Sequence, residues 1–163
     1  MKIAVITVSD RASRGIYADL SGPAIAKVLE SALPGSEIAG EVVPDEVPAI
    51  LAAFSRHAGA DWILTTGGTG PAPRDVTPEA TRAYCDREMP GIADYLRAES
   101  LRETPNAVFS RGVAGLRGTQ YVVNFPGSEK AAGFCARLLA PLMSHGTAMA
   151  KGEGHEPHHA SLA

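Results

Sequence analysis

Apolar and polar positions alternate along the chain in blocks whose period switches between strand and helix. Residues Ile3 to Val8 are a nearly unbroken run of β-branched residues, the pattern of a strand covered on both faces. Ser21-Gly22-Pro23 opens a helix whose apolar positions Ile25, Val28, Leu29 and Leu33 fall on one side, and Pro34-Gly35 stops it. A second strand runs from Ile38 to Val43. Val47, Ile50, Leu51 and Phe54 then repeat the helical stripe, with Asp45 placed to cap it, and His57-Ala58-Gly59 ends it. Trp62 to Thr66 reads as a third strand. The pattern predicts helices over 77–87 and from Ile92 through Leu96, with Met89-Pro90-Gly91 between them and Thr104-Pro105-Asn106 closing the second. Residues 107–118, with glycines at 112, 115 and 118, read as short strands around a bend. Tyr121 to Phe125 reads as another buried strand. Ser128 caps a helix carrying Phe134, Cys135, Leu138 and Leu139, and 142–150 is weakly helical.

The order β-α-β-α-β-α-(α)-β-β-α predicts an α/β fold with a mainly parallel central sheet and helices on both faces. At 163 residues the chain reads as one domain over 1–150, able to bury roughly two-thirds of its unfolded surface. The tail 151–163, polar and holding His155, His158 and His159, reads as mobile.

Composition narrows the function. A net charge of −3 argues against nucleic acid or an anionic membrane as partner, so an anionic ligand needs a local site. The chain has no apolar leader and no apolar run near 18 residues, which predicts a cytoplasmic protein. Cys85 and Cys135 stand alone, without metal or redox spacing.

Chemistry-bearing residues collect where strands end. The third strand runs into Gly67-Gly68-Thr69-Gly70, then Arg74-Asp75, then Thr77-Pro78-Glu79, which reads as a capped helix start. Strand, glycine loop and helix N-terminus form a phosphate cradle of backbone N–H groups. It is neither a Walker A loop, having no lysine, nor a dinucleotide fingerprint, since Pro73 takes the third glycine position. Ser9-Asp10-Arg11 follow the first strand, Asp45 the second and Pro126-Gly127-Ser128 the last. In open α/β sheets these strand ends line the ligand crevice. Asp45 and Asp75 suit Mg²⁺, with phosphates and water completing its shell, and Arg74 or Arg111 suit phosphate. No triad for covalent catalysis is suggested. The residues therefore point to a Mg²⁺-dependent enzyme or binder acting on a phosphorylated small molecule.

Val8-Ser9-Asp10-Arg11-Ala12-Ser13, Pro44-Asp45-Glu46, Thr65 through Gly70, Arg74 through Pro78, Asp86 through Gly91, Ser110-Arg111 and Asn124 through Ser128 occur in this order. Over about residues 1–145 the chain resembles the molybdopterin adenylyltransferase (MogA) family, which is related to MoaB and to the G domains of gephyrin and its plant counterpart. The resemblance implies a three-layer αβα fold, a homotrimer, and adenylyl transfer from ATP to molybdopterin with Mg²⁺, the product passing to a molybdate-inserting MoeA-type enzyme. It implies catalytic and metal-organising roles for Asp45 and Asp75. Binding would fall to Ser9, Asp10, Arg11, Thr66, Gly67, Gly68, Thr69, Gly70, Arg74, Ser110, Arg111, Asn124, Pro126, Gly127 and Ser128. Phe125 departs from the family's usual leucine. A MoaB-like paralogue, a non-catalytic molybdopterin carrier and a nucleotide hydrolase of related fold are the competing readings.

Overall fold

A computed structural model describes residues 1–153. Its centre is a six-stranded sheet in the order β2-β1-β3-β6-β5-β4. The strands are β1 (Lys2–Val8), β2 (Glu37–Val43), β3 (Trp62–Thr66), β4 (Arg87–Glu88), β5 (Ala114–Arg117) and β6 (Gln120–Phe125). β2, β1, β3 and β6 are parallel; β5 runs antiparallel to β6, and β4 antiparallel to β5. The helices are α1 (Asp10–Ser13), α2 (Ser21–Ala32), α3 (Val47–Arg56), α4 (Thr77–Tyr84), α5 (Pro90–Glu103) and α6 (Glu129–Ala150).

Strand residues alternate between two cores, as a pleated strand requires. Ile3, Val5, Trp62, Leu64, Tyr121, Val123 and Phe125 face α2, α5 and α6, meeting Ile25, Leu29, Leu96, Leu139 and Met143. Ala4, Ile6, Val8, Ile63 and Val122 face α3 and α4, meeting Ile50, Phe54, Ala80 and Tyr84. The apolar runs therefore come from burial on both faces, giving the three-layer αβα arrangement.

Several local expectations are corrected. The helix expected over 77–87 stops at Tyr84 because the next backbone finds strand partners: Asp86 N–H donates to the Leu116 carbonyl and Met89 N–H to that of Ala114. Gly115 makes that pairing possible. A Cβ there would lie 2.8 Å from Cys85 Sγ. Only Ala114–Arg117 of the expected strands in 107–118 forms; Pro105–Phe109 is a 3₁₀ turn whose Asn106 N–H is capped by Thr104 Oγ1. Ser9 likewise caps α1, a short helix where a loop is expected. The segment 142–150 continues α6 past Pro141 without a break. Packing holds it there: Trp62 Nε1 donates to Thr147 Oγ1 at 2.8 Å, and Tyr121 O–H to the Gly146 carbonyl at 3.1 Å. Apart from its first three residues, the tail 151–163 lies outside the described residues.

Candidate active-site cleft

The four parallel strands end on one edge, and their following loops meet there. In the Ser9-Asp10-Arg11 stretch after β1, Asp10 meets Asp45 after β2. Asp10 N–H donates to Asp45 Oδ2 at 2.7 Å, and Asp45 N–H returns a bond to Asp10 Oδ1 at 3.1 Å. This exchange replaces the expected cap: α3 begins at Val47 and takes no side-chain cap from Asp45. Asp45 is partly buried, and desolvation, aided by the charges of Asp10 and Asp75, holds its carboxyl above the ordinary aspartate value despite the Asp10 hydrogen bond. Asp10 moves the other way, chiefly because Arg74 donates to it.

The glycine loop after β3 is tightly folded. Gly67 has φ +98°, and a Cβ there would lie 2.3 Å from the Val8 carbonyl oxygen. Gly68 has φ +62°, with its missing Cβ 2.4 Å from Thr77 Oγ1. Only glycine accommodates these conformations at such close approach. Thr77 is the first residue of α4 rather than its cap, and its hydroxyl donates to the Gly67 carbonyl at 2.9 Å. Thr66 Oγ1 donates to the Pro126 carbonyl at 2.7 Å, tying this loop to the turn after β6. Ser128 Oγ caps α6 through the Ala131 N–H, as expected.

Two clefts adjoin at Gly68 and Gly127. One, of about 460 Å³, has Thr69, Asp75, Ser110, Asn124 and Ser128 on its polar side and Leu96 and Phe109 among its apolar walls. The other, of about 480 Å³, is bounded by Ser9, Asp10, Arg11, Asp45, Thr66 and Gly67. Asp45 and Asp75 thus stand in neighbouring clefts on either side of the glycine loop.

Neither candidate arginine is a free phosphate donor in this state. Arg74 donates through Nε and Nη2 to Asp10 Oδ2, at 3.1 and 2.6 Å. Arg111 is absent from the lining of both clefts; its guanidinium donates to two loop carbonyls and to Glu79. The side chain of Asn124 is spent internally as well. Its amide donates to Thr65 Oγ1 and Thr81 Oγ1 at 2.9 and 2.8 Å, and its carbonyl accepts from Val113 N–H at 3.2 Å.

Sequence reasoning missed two groups. Tyr17 lies against the second cleft, its hydroxyl 3.0 Å from Ser9 Oγ and its ring under the Arg11 guanidinium. It sits in an irregular stretch with no periodic signal. Arg97, on α5, donates to the Ser110 and Gly112 carbonyls and borders the first cleft. A salt-bridged surface helix position gave no reason to single it out.

A mainly parallel sheet whose strand-end loops bring a glycine-rich turn and two acids to one edge defines an α/β protein with its cleft at the carboxyl ends of the strands. A sequence profile described as a probable molybdopterin binding domain matches residues 4–145. A molybdopterin adenylyltransferase of Helicobacter pylori (strain J99) is 42% identical over 147 residues, covering 88% of this chain and 84% of the relative. The crystal structure of MoaB from Thermus thermophilus superposes with a TM-score of 0.83 at 44% identity, covering 93% of this chain and 97% of that one. The Mog protein of Mycobacterium ulcerans gives 0.84 at 37% identity, covering 91% and 98%. The chain belongs to the molybdopterin-binding MogA/MoaB family.

Proposed function

We propose that this protein transfers the adenylyl group of ATP to molybdopterin, releasing pyrophosphate, in molybdenum cofactor biosynthesis. The names of curated relatives at about 42% identity support the reaction. The observation in the structure that carries it is the placing of Asp45 and Asp75 on either side of the glycine loop, in two adjoining clefts. Two phosphorylated ligands brought into such clefts meet at the loop. In the transfer, an oxygen of the pterin's terminal phosphate bonds to the α-phosphorus of ATP. The bond from that phosphorus to the bridging oxygen breaks, and pyrophosphate leaves. Little covalent help is needed; positioning and charge neutralisation lower the barrier.

The chain's own groups divide this work. Backbone N–H groups of Gly68, Thr69 and Gly70, and the N-terminus of α6 behind Ser128, would face phosphate oxygens, while the Gly67 N–H is spent on the Phe125 carbonyl. Thr69, Ser110 and Ser128 offer hydroxyls to the first cleft, while Ser9 and Arg11 border the second. Asp45 and Asp75 offer hard oxygen donors; burial first, and the charges of Asp10 and Asp75 after it, raise the Asp45 carboxyl, and a cation would offset the charge part. No group of three or more metal-ligating side chains occurs among the described residues. Mg²⁺ fits this sparse set because it keeps much of its shell as phosphate and water; when bound it would neutralise the triphosphate.

The remaining parts of the reading are a working unit over 1–150, a homotrimer, a cytoplasmic site of action and hand-off to a molybdate-inserting MoeA-type enzyme. Exposed Leu142 and Met149 on α6 are apolar surface of the kind an assembly covers. No helix among the described residues is long and apolar enough to cross a membrane. The test incubates protein, ATP and Mg²⁺ with and without molybdopterin, following pyrophosphate and adenylylated pterin. Pterin-dependent formation of both is expected. Binding without product would replace the enzyme by a carrier, and pterin-independent cleavage by a hydrolase.

A further inference from the structure

The loop that carries Asp75 has almost nothing beneath it. Pro71, Ala72, Pro73 and Arg74 are all exposed, and no residue between Thr69 and Thr77 is buried. From 70 to 75 such a segment contributes little apolar burial to hold its own shape, Val76 being the first side chain to pack against the core, and segments of that kind open first. Within the loop, Ala72 N–H donates to Asp75 Oδ2 at 3.0 Å and Asp75 N–H to the Ala72 carbonyl at 2.9 Å. These bonds shape the turn but do not attach it to the body of the protein.

Arg74 ties the middle of the loop to Asp10 through a part-exposed ion pair, and Arg111 ties its two ends. Its backbone N–H donates to the Thr69 carbonyl at 2.8 Å. Its Nε donates to the Gly70 carbonyl at 2.8 Å, and its Nη2 to the carbonyl of Asp75 itself. Both ends of the loop therefore hang on one residue. Glu79, in the first turn of α4, fixes the guanidinium from the far side, with Oε1 2.6 Å from Nη1 and Oε2 3.2 Å from Nη2. The stretch between the 3₁₀ turn and β5 on which Arg111 rides is itself held. Arg97 on α5 takes the carbonyls on either side of Arg111, those of Ser110 and Gly112, at 3.1 and 2.8 Å. A chain of two guanidiniums thus runs from α5, beside the first cleft, to Asp75.

We infer that Arg111, anchored by Glu79, is a positioning residue that pins the 69–75 loop and so places the Asp75 carboxylate, and that it is not a phosphate ligand. The inference rests on the adenylyl-transfer reading of the site. A planar fork is required: it meets two carbonyls and a carboxylate at once, which a lysine ammonium cannot do. The ion pair alone is half-exposed and would be weak. Its value is orientational, aiming the fork at the two carbonyls. Small displacements of a catalytic group are costly, on the order of 100-fold in rate for about 1 Å.

The experiment compares wild type, Arg111→Lys, Glu79→Gln and the double variant. Amide hydrogen exchange of residues 69–76 is measured without ligand, and steady-state transfer is measured with Mg-ATP and molybdopterin. We expect Arg111→Lys to speed exchange in the loop while β1 and β3 stay protected. It should lower kcat by about 10- to 100-fold with both KM values within about twofold. Glu79→Gln should shift both readouts the same way and less, and the double variant should be no worse than Arg111→Lys, since both act through one fork. Unchanged loop exchange in Arg111→Lys overturns the inference. So does a raised KM for Mg-ATP with kcat retained, the result for a phosphate ligand. Faster loop exchange alongside a wild type that makes no adenylylated pterin supports the pin and instead overturns the adenylyl-transfer reading.

Discussion

Gly68→Ala isolates how tightly the glycine loop is folded against the start of α4. Two costs add. A φ of +62° is left-handed, which disfavours a residue with a Cβ by roughly 1–2 kcal/mol. The new methyl would also lie 2.4 Å from Thr77 Oγ1, closer than any real contact. Thr77 is fully buried and its hydroxyl donates to the Gly67 carbonyl. Displacing it leaves that carbonyl without its partner, at about 1–3 kcal/mol. The sum is roughly 2–5 kcal/mol, and for a chain of this size about 2–4 °C of Tm accompanies each kcal/mol. Thermal unfolding of Gly68→Ala should therefore shift down by on the order of 10 °C. Gly118→Ala is the matched control. Its φ is +58°, and a Cβ there meets nothing within 4 Å, so it carries the first cost alone. In a Thr77→Ala background the extra cost at Gly68 should vanish, a coupling that a double-mutant cycle reads directly. Equal Tm losses for Gly68→Ala and Gly118→Ala would refute the close approach and the tight loop with it. Transfer activity should fall as well, because the same methyl lies 3.1 Å from Asp45 Oδ1.

Other perturbations separate holding the site from doing its chemistry. Asp75→Asn should keep the fold by circular dichroism yet slow adenylyl transfer by at least about 100-fold; normal turnover would remove Asp75 from catalysis. Asp45→Asn should raise Tm at neutral pH while abolishing transfer. The folded Asp45 carboxyl titrates above its ordinary value near 3.8, so ionisation disfavours the folded state once pH exceeds the folded value, and the penalty fades as pH falls toward the unfolded one. The stabilisation should therefore shrink on acidification, and a variant less stable than wild type at pH 7 would contradict the assignment. Asn124→Ala should cost about 2–4 kcal/mol, since it strips buried partners from Thr65, Thr81 and the Val113 N–H; a Tm within about 2 °C of wild type, well inside the scatter of surface changes, would count against that network.

The strands of the parallel half were legible because burial on both faces writes continuous apolar runs. Ile3 to Val8 and Tyr121 to Phe125 appear where the pattern puts them. What failed depended on long-range pairing. Nothing local marks Arg87–Glu88 as a strand, because both residues are exposed and their structure comes from β5, well downstream in the chain. The site was legible as a set of strand ends, since topology alone brings such ends together. The use each side chain makes of its position was not. Asp45 reads as a helix cap in sequence but exchanges bonds with Asp10, 35 residues earlier. Arg111 reads as a charge for phosphate but finds its partners on the loop of β3 and on α4. Side-chain allegiance is decided by neighbours that the linear order keeps apart.

The sheet order carries a consequence for how the protein is made. β6, spanning Gln120–Phe125, lies between β3 and β5, and it alone joins the parallel strands to the antiparallel pair. A growing chain that has emerged only as far as Arg117 holds β3 with one edge unpaired and lacks the β6 turn that closes both clefts. Asp10, Asp45 and the glycine loop then face water without the wall formed by Pro126 and Gly127. The last strand is the keystone: until it docks, the pieces of the site exist without adding up to one. An unfinished chain exposes a hydrophobic strand edge that another chain can pair with. Truncating the chain upstream of Phe125 removes the Gly127 wall common to both clefts even though most candidate residues remain in the polypeptide.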